Sequence, residues 1–344
     1  MILGIDIGGA NTKITKLNTN NSYTIDHIYF PMWMKNNELI NLLSKYNNNN
    51  NKISKIALVT TAELADAYKT KKEGIENILN SVEEAFPNKE IYIFDVNGNF
   101  LTVEEGKKKY MDISASNWTA TTEFIKKEFN LNDFLLIDMG STTTDIIPVI
   151  NGNIVANKTD LDRLINKELL YVGTLRTPVS FLTNEIIFKG IKTNMSSEYF
   201  AITGDINIIM NKISENEYSC DTPDGKPANK EHCKIRLSKV ICSDLEQITN
   251  NEIENLAFQL YEKLINLIKY NISFVLKKYN NINNIVITGL GEPILLDALK
   301  LLNENKEYDG INNKYNIISI KDKYNKDISL ATPSFAVAKL LSYK

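Results

Sequence analysis

Two short stretches hold the residues best suited to chemistry: Asp6-Ile7-Gly8-Gly9-Ala10-Asn11-Thr12-Lys13 and Asp138-Met139-Gly140-Ser141-Thr142-Thr143-Thr144-Asp145. Glycine has no Cβ, so the backbone N–H groups of such a turn can converge on an anion, and Asn, Ser and Thr add short neutral donors. A turn of this kind grips phosphate. A bare carboxylate beside phosphate would repel it unless a hard cation such as Mg²⁺ lay between them. Asp6 and Asp138 are therefore candidate metal ligands and catalytic groups, with Gly8, Gly9, Asn11, Thr12, Gly140, Ser141, Thr142 and Thr143 as the phosphate cradle. One Gly-containing hairpin would be weak evidence of a site, whereas two copies, each led by Asp, point to one. A dinucleotide fingerprint fits less well. Gly4-x-Asp6-x-Gly8-Gly9 lacks the required spacing and is followed by strand-type alternation instead of a helix.

These turns need strands on either side. Ile2, Leu3, Ile5 and Ile7 form a short apolar run that predicts a buried strand, and Lys13 to Leu17 alternates as its hairpin partner. Phe134 to Met139 and Thr144 to Val149 repeat the arrangement. Tyr23 to Phe30 predicts a third strand closed by Pro31, and Glu38 to Tyr46 a helix broken by the Asn47 to Asn51 run. A strand at Ile53 to Thr61, a helix at Glu73 to Phe86 ended by Pro87 and a strand at Glu90 to Val96 then give a mixed α/β layout.

A helix led by Ser114 or Ser116 runs to Phe129, after which the hairpin pattern restarts. The expected domains are 1–130 and 131–344, the second carrying an insertion at about 160–250. Trp118 reads first as core, although Asn117 and Trp118 lie between the two turns and are candidate substrate contacts. A further strand is expected around Asn153 to Asn157. Arg176, ending Leu170 to Pro178, is a natural bidentate partner for phosphate. Thr203-Gly204-Asp205 and Asp221 to Lys226 read as polar turns, either of them a possible lid. The longest helical pattern spans Glu252 to Tyr279, followed by strand, glycine turn and helix start at Ile285 to Glu292. Gly289, Gly291 and Glu292 there are candidate substrate contacts. A strand at Tyr315 to Ile320 and a helix at Pro333 to Leu341 are expected to close the second domain.

The chain has 344 residues, long enough for two cores, and a formal net charge of −3, which argues against nucleic acid as a partner. No stretch is long and apolar enough to span a membrane, and Met1 leads straight into a strand, so a cytoplasmic protein is expected. Cys220, Cys233 and Cys242, with His232 nearby, match no usual zinc spacing and read as incidental thiols.

Together, the two turns, the intervening helix and the late Gly-x-Gly resemble the actin, sugar-kinase and heat-shock-chaperone superfamily, which implies two ribonuclease-H-like domains around a cleft. More narrowly, both Asp-led turns, Ala115-Ser116-Asn117-Trp118, Gly173-Thr174-Leu175-Arg176-Thr177-Pro178 and Asp221-Thr222-Pro223-Asp224-Gly225 look like an archaeal methanofuran-biosynthesis branch. That branch is a one-carbon-transfer pathway group of methanogenesis, related to hydantoinases and oxoprolinases.

The resemblance implies a transferase that joins (5-aminomethyl-furan-3-yl)methyl diphosphate to γ-glutamyltyramine, releasing diphosphate and consuming no ATP. Mg²⁺ as cofactor, held by Asp6 and Asp138, would stabilise charge on the departing diphosphate, with Lys13 and Arg176 pairing its oxygens. The phenol, with an ordinary pKa of about 10, needs a base, for which Asp145 is one candidate. The alternatives are an ATP-dependent small-molecule kinase or ATPase of the same superfamily and an actin-like filament or nucleotide sensor. Small molecules are the expected partners, and a homo-oligomer is compatible with the sequence.

Overall fold

The computed structural model describes residues 1–47, 53–304 and 315–344, so most of the Asn47 to Asn51 run lies outside the described residues. The chain divides into two compact units. Unit 1 comprises Met1–Asn132, Val149–Arg163 and Ile320–Lys344, and unit 2 comprises Asp133–Pro148 and Leu164–Ser319.

Unit 1 is built on a sheet of β1 (Ile2–Ile7), β2 (Asn11–Leu17), β3 (Tyr23–Tyr29), β4 (Lys55–Thr60), β5 (Glu90–Phe94) and β6 (Phe100–Leu101), in the order β3-β2-β1-β4-β5-β6. The first three strands form an antiparallel meander, and β4 and β5 add in parallel, each reached through a helical crossover. Leu3, Ile5, Ile7, Ile56 and Leu58 are fully buried, as continuous apolar runs require when both faces of a sheet are covered.

Helix Lys71–Ala85 buries Ile75, Ile78, Leu79 and Val82, the apolar stripe expected from their spacing. Helix Asn117–Phe129 begins after Ser116, whose side chain makes no capping hydrogen bond.

Helix Thr332–Ser342, expected to close the second domain, instead belongs to unit 1, where it packs on β1, β2, β4 and helix Asn117–Phe129. The cause lies in its small residues. A Cβ on Gly4 would come within 2.1 Å of Ser334 O and 2.8 Å of the Ala338 side chain, so helix and strand touch backbone to backbone. Thr15 Oγ1 and Ser334 Oγ, both buried, are 2.8 Å apart across that seam. Gly4 therefore serves packing and not anion binding.

The second sheet repeats the topology, with its strands in unit 2 except β9 and the last two residues of β8. β7 (Phe134–Met139) and β8 (Thr144–Ile150) are sheet neighbours; β9 (Asn153–Ile154) and β10 (Leu169–Leu170) both pair with β8; β11 (Glu185–Phe188) and β12 (Ile191–Asn194) form a separate hairpin; β13 (Asn284–Thr288) and β14 (Asn316–Ser319) add in parallel. The order β10-β8-β7-β13-β14 matches that of unit 1 from β3 to β5.

The third-strand position is split. Leu169 pairs with Asp145 near the start of β8, and Ile154 pairs with Val149 near its end. The strand expected over Asn153 to Asn157 is therefore only two residues long, and helix Asp160–Ile165 interrupts the run before it resumes at Leu169. Residues 149–163 accordingly fall in unit 1, unlike the expected simple boundary near residue 131. Helix Asn250–Lys278 opens with a full capping box, Thr249 with Glu252, and packs against helix Glu292–Glu304.

Among the described residues no helix is long and apolar enough to cross a membrane.

Candidate functional site

In unit 1, Asp6 lies near the end of β1 and is 4% exposed, directly across from Lys13 in register. Lys13 Nζ stands 3.6 Å from Asp6 Oδ2, so the two candidates meet each other. Gly8 N donates to Asn11 O at 2.9 Å and closes the turn; a Cβ on Gly8 would come within 2.8 Å of that same oxygen. Gly9 has open space around its Cα, with no atom within 4 Å of where a Cβ would stand. Thr12 is fully buried, and its hydroxyl has no hydrogen-bond partner among the described residues. Buried hydroxyls are normally satisfied, so this turn lacks a partner of the kind that a phosphate oxygen would supply.

In unit 2, Asp138 is paired in register with Thr288, and the loop after β13 closes over it. Gly289 has φ +95°, and a Cβ there would stand 2.4 Å from Met139 O and 2.6 Å from Asp138 Oδ1. Gly291 N donates to Met139 O at 2.9 Å. Gly289 thus lies close against the Asp138 carboxylate, and Gly291 is hydrogen-bonded to the next residue, Met139. Glu292 is buried and accepts from Ser319 Oγ at 2.6 Å.

The second turn is closed by Gly140 N donating to Thr143 O at 2.9 Å. It is braced from behind: Thr174 N donates to Gly140 O, and Leu175 N and Arg176 N both donate to Ser141 O, each at 3.0 Å. Gly173 is obligatory here, since a Cβ would lie 2.4 Å from Thr142 N. Arg176 Nη1 reaches Thr142 Oγ1 at 3.3 Å, so Arg176 does sit at the turn. Asp145 lies inside β8 opposite Leu169 and is 7% exposed.

The brace has its own support. Thr203-Gly204-Asp205, expected as a polar turn, is the start of a buried helix, Thr203–Ile209. Asn207 Nδ2 donates to Thr174 O at 2.7 Å and Thr203 Oγ1 to Gly173 O at 2.9 Å. Asp205 takes hydrogen bonds from Ile202 N, from Tyr218 Oη and from Arg236 Nε at 2.8 Å. Arg236, fully buried, also donates to Asp224 Oδ1 and Pro227 O. Burial pushes the Asp205 carboxyl above its ordinary range, and the Arg236 guanidinium pulls it back. The local signal of three turn-type residues was overridden by this distant cation.

The Cys and His residues behave separately. His232 Nδ1 and Asn229 Oδ1 are 2.8 Å apart at the start of their helix, and the three thiols are free.

Sequence reasoning missed Glu63. It sits on the loop after β4, whose Thr60 Oγ1 and Thr61 N both bond Ile7 O beside the first turn. Glu63 is 1% exposed and accepts from the Ala115 backbone, while Lys71 Nζ is 4.0 Å from its Oε1. Burial pushes its carboxyl up to about 7 from 4.5, opposed by Lys71. An acid directly after a buried parallel strand was the available signal, because ligands gather at the carboxyl ends of such strands.

The shift sets a pH dependence. Between pH 4.5 and 7 the folded chain keeps a proton on Glu63 that the unfolded chain has lost, so stability falls as pH rises through this window. Thermal melting should show wild type losing about 3 kcal/mol relative to Glu63→Gln across it. Parallel curves for the two proteins would refute the assignment.

Among the described residues no three or more His, Cys, Asp or Glu side chains are grouped to hold a metal. One Asp beside each phosphate-type turn, Asp6 buried and Asp138 partly exposed, suits instead a Mg²⁺ that arrives with substrate phosphates, since Mg²⁺ is usually held by one or two carboxylates plus those oxygens.

Comparison with known proteins adds the rest. Residues 55–343 match the family model described as hydantoinase/oxoprolinase. The chain is 59% identical, over 99% of its length and 97% of the relative's, to the (4-{4-[2-(γ-L-glutamylamino)ethyl]phenoxymethyl}furan-2-yl)methanamine synthase of Methanocaldococcus jannaschii. It is 58% identical over 219 residues, 64% of this chain and 95% of the relative, to the synthase of the same name from Methanococcus vannielii.

Among solved structures it resembles nucleotide-free acetone carboxylase (TM-score 0.59, 8% identity, 98% of this chain and 70% of that one). It also resembles the hexokinase of Schistosoma mansoni complexed with glucose (TM-score 0.51, 10% identity, 98% and 84%). These two likenesses speak to the fold alone, an α/β architecture of mixed sheets flanked by helices. The chain belongs to the hydantoinase/oxoprolinase family, within its group of (4-{4-[2-(γ-L-glutamylamino)ethyl]phenoxymethyl}furan-2-yl)methanamine synthases.

Proposed function

We propose that this chain is an alkyl transferase that joins (5-aminomethyl-furan-3-yl)methyl diphosphate to the phenol oxygen of γ-glutamyltyramine, releasing diphosphate. The observation that carries the reading is the 59% identity over nearly the whole of both chains, extending through both Asp-led turns. The relatives' product name describes a phenoxymethyl ether, and making such an ether requires a CH₂ carbon with a good leaving group. A turn that grips phosphate is suited to hold one.

Each unit contributes its own part. In unit 1, the Gly8 to Asn11 turn and the buried Thr12 hydroxyl offer donors to phosphate oxygens, and Lys13 beside Asp6 supplies a cation. In unit 2, the Gly140 to Thr143 turn and Arg176 do the same. Mg²⁺, for which Asp6 and Asp138 are the proposed ligands, would supply Lewis-acid stabilisation of the charge on the leaving diphosphate. Asn117 and Trp118 remain proposed substrate contacts, and Glu292, engaged by Ser319, is proposed to position the Gly289 to Gly291 loop.

Phosphorus NMR on purified protein with Mg²⁺, the furan diphosphate and γ-glutamyltyramine, without nucleotide, tests this. Free diphosphate appearing only when the phenol is present is the expected result. No diphosphate there, followed by ADP once ATP is added, would overturn it in favour of a kinase or ATPase.

A further inference from the structure

Glu63 belongs to a cluster of buried polar groups in unit 1 that is incomplete. Its Oε2, Ser116 Oγ and Trp118 Nε1 have no hydrogen-bond partner among the described residues, although all three side chains are at most 1% exposed. Two donors and an acceptor left unpaired on segments that the Thr60–Ser114 bridge joins are what a hydroxyl-bearing ligand would satisfy, and buried polar groups are otherwise paired.

Several contacts tie the cluster together. Ala115, whose backbone N–H the Glu63 carboxyl accepts, has φ +51°. For a residue with a Cβ this is a strained conformation, and such strain persists only where its surroundings enforce it. The carboxyl thus helps to hold the turn that presents Ser116 and opens helix Asn117–Phe129. The Thr60–Ser114 bridge anchors the same segment to the end of β4.

Behind it, the Arg163 guanidinium carbon lies 4.7 Å from the Trp118 ring centroid, and Arg163 Nη1 bonds Asp160 Oδ1 at 3.1 Å. The indole is therefore fixed from its face, leaving its N–H unengaged. The charged groups facing Glu63 are Lys71 from helix Lys71–Ala85 and Asp160 from helix Asp160–Ile165.

We infer that Glu63 is the general base of the transfer reaction: its carboxylate takes the proton of the acceptor's phenol while Ser116 and Trp118 hydrogen-bond the acceptor. This inference rests on the proposed ether-forming function. In the step, the phenol O–H bond breaks and its proton moves to Glu63. The phenol oxygen forms a bond to the furan CH₂ carbon, and the carbon–oxygen bond to diphosphate breaks, the electron pair leaving with diphosphate. Glu63 then returns its proton to water.

Proximity in the fold fits this order, since the β4 loop that carries Glu63 is hydrogen-bonded to the end of β1 beside the first phosphate turn. Burial keeps the carboxyl near 7, between its usual value and that of a phenol, which is the range in which a base works best near neutral pH.

The test measures ether formation by wild type and Glu63→Gln, with γ-glutamyltyramine and with a ring-fluorinated analogue of lower phenol pKa, across pH. Wild type should show an acid limb near pH 7; Glu63→Gln should lack it, should be ~10²- to 10⁴-fold slower on the natural acceptor and should recover ~10-fold or more on the fluorinated one. A variant that is as active as wild type, or one that is slow on both acceptors alike with the acid limb intact, would overturn the role of Glu63 while leaving the transferase reading standing. No ether from wild type would overturn both.

Discussion

Asp6→Asn and Asp138→Asn are each expected to lower turnover by at least ~10³-fold while leaving the melting temperature nearly unchanged. The size follows from the task assigned to them. Stabilising charge on a departing diphosphate is worth several kcal/mol, and each 1.36 kcal/mol is tenfold in rate. Asn keeps the volume but loses the charge that holds Mg²⁺. The fold should tolerate the change at Asp6, because Lys13, its partner at 3.6 Å, has a side chain 25% exposed that water can serve instead. Diphosphate release measured at saturating Mg²⁺ is the readout. Activity within tenfold of wild type in both variants would remove the metal-ligand assignment.

The second large effect is on stability. Arg236→Ala should destabilise the protein by about 3–5 kcal/mol, because removing one partner of a buried pair strands the other charge away from water. Asp205 and Arg236 are both fully buried, and two guanidinium nitrogens lie 2.7 and 2.8 Å from Asp205 Oδ1. A double change, Asp205→Leu with Arg236→Met, should be milder than Arg236→Ala alone, since no fully buried charge is left unpaired; Asp224, the other partner of Arg236, has a side chain 24% exposed that water can serve. Differential scanning calorimetry of the three proteins decides it. A double variant less stable than the single one would show that the ion pair itself, and not the stranded charge, sets the cost. Because helix Thr203–Ile209 holds the Gly173 to Thr177 loop, and that loop braces the Gly140 turn, Arg236→Ala should also raise KM for the diphosphate.

The parts of this architecture that could be read from sequence are those in which cause and effect are local. The two Asp-led turns announce themselves because Gly8 and Gly140 are closed by partners three residues on. Helix Lys71–Ala85 shows its stripe for the same reason. Of Glu63 only its place after β4 was legible, because its surroundings come from Lys71, Ala115 and Asp160, which no spacing rule connects. Gly4, which no sequence motif explained, owes its place to a helix more than three hundred residues away. Asp205 was read from its neighbours as a turn former, when the deciding group was Arg236. Arg176 and the Gly289 loop, both picked out in the sequence by charge and glycine spacing, lie at the second turn.

Helix Thr332–Ser342 has a consequence for the protein's birth. Residues 133–319 are synthesised before any of 320–344, at about 5–20 residues per second. β7, β8 and β10 can thus pair while β1, β2 and β4 still show the apolar face that helix Thr332–Ser342 later covers. The first segment to be synthesised is among the last to be finished, and in the interval it is the natural client for a chaperone.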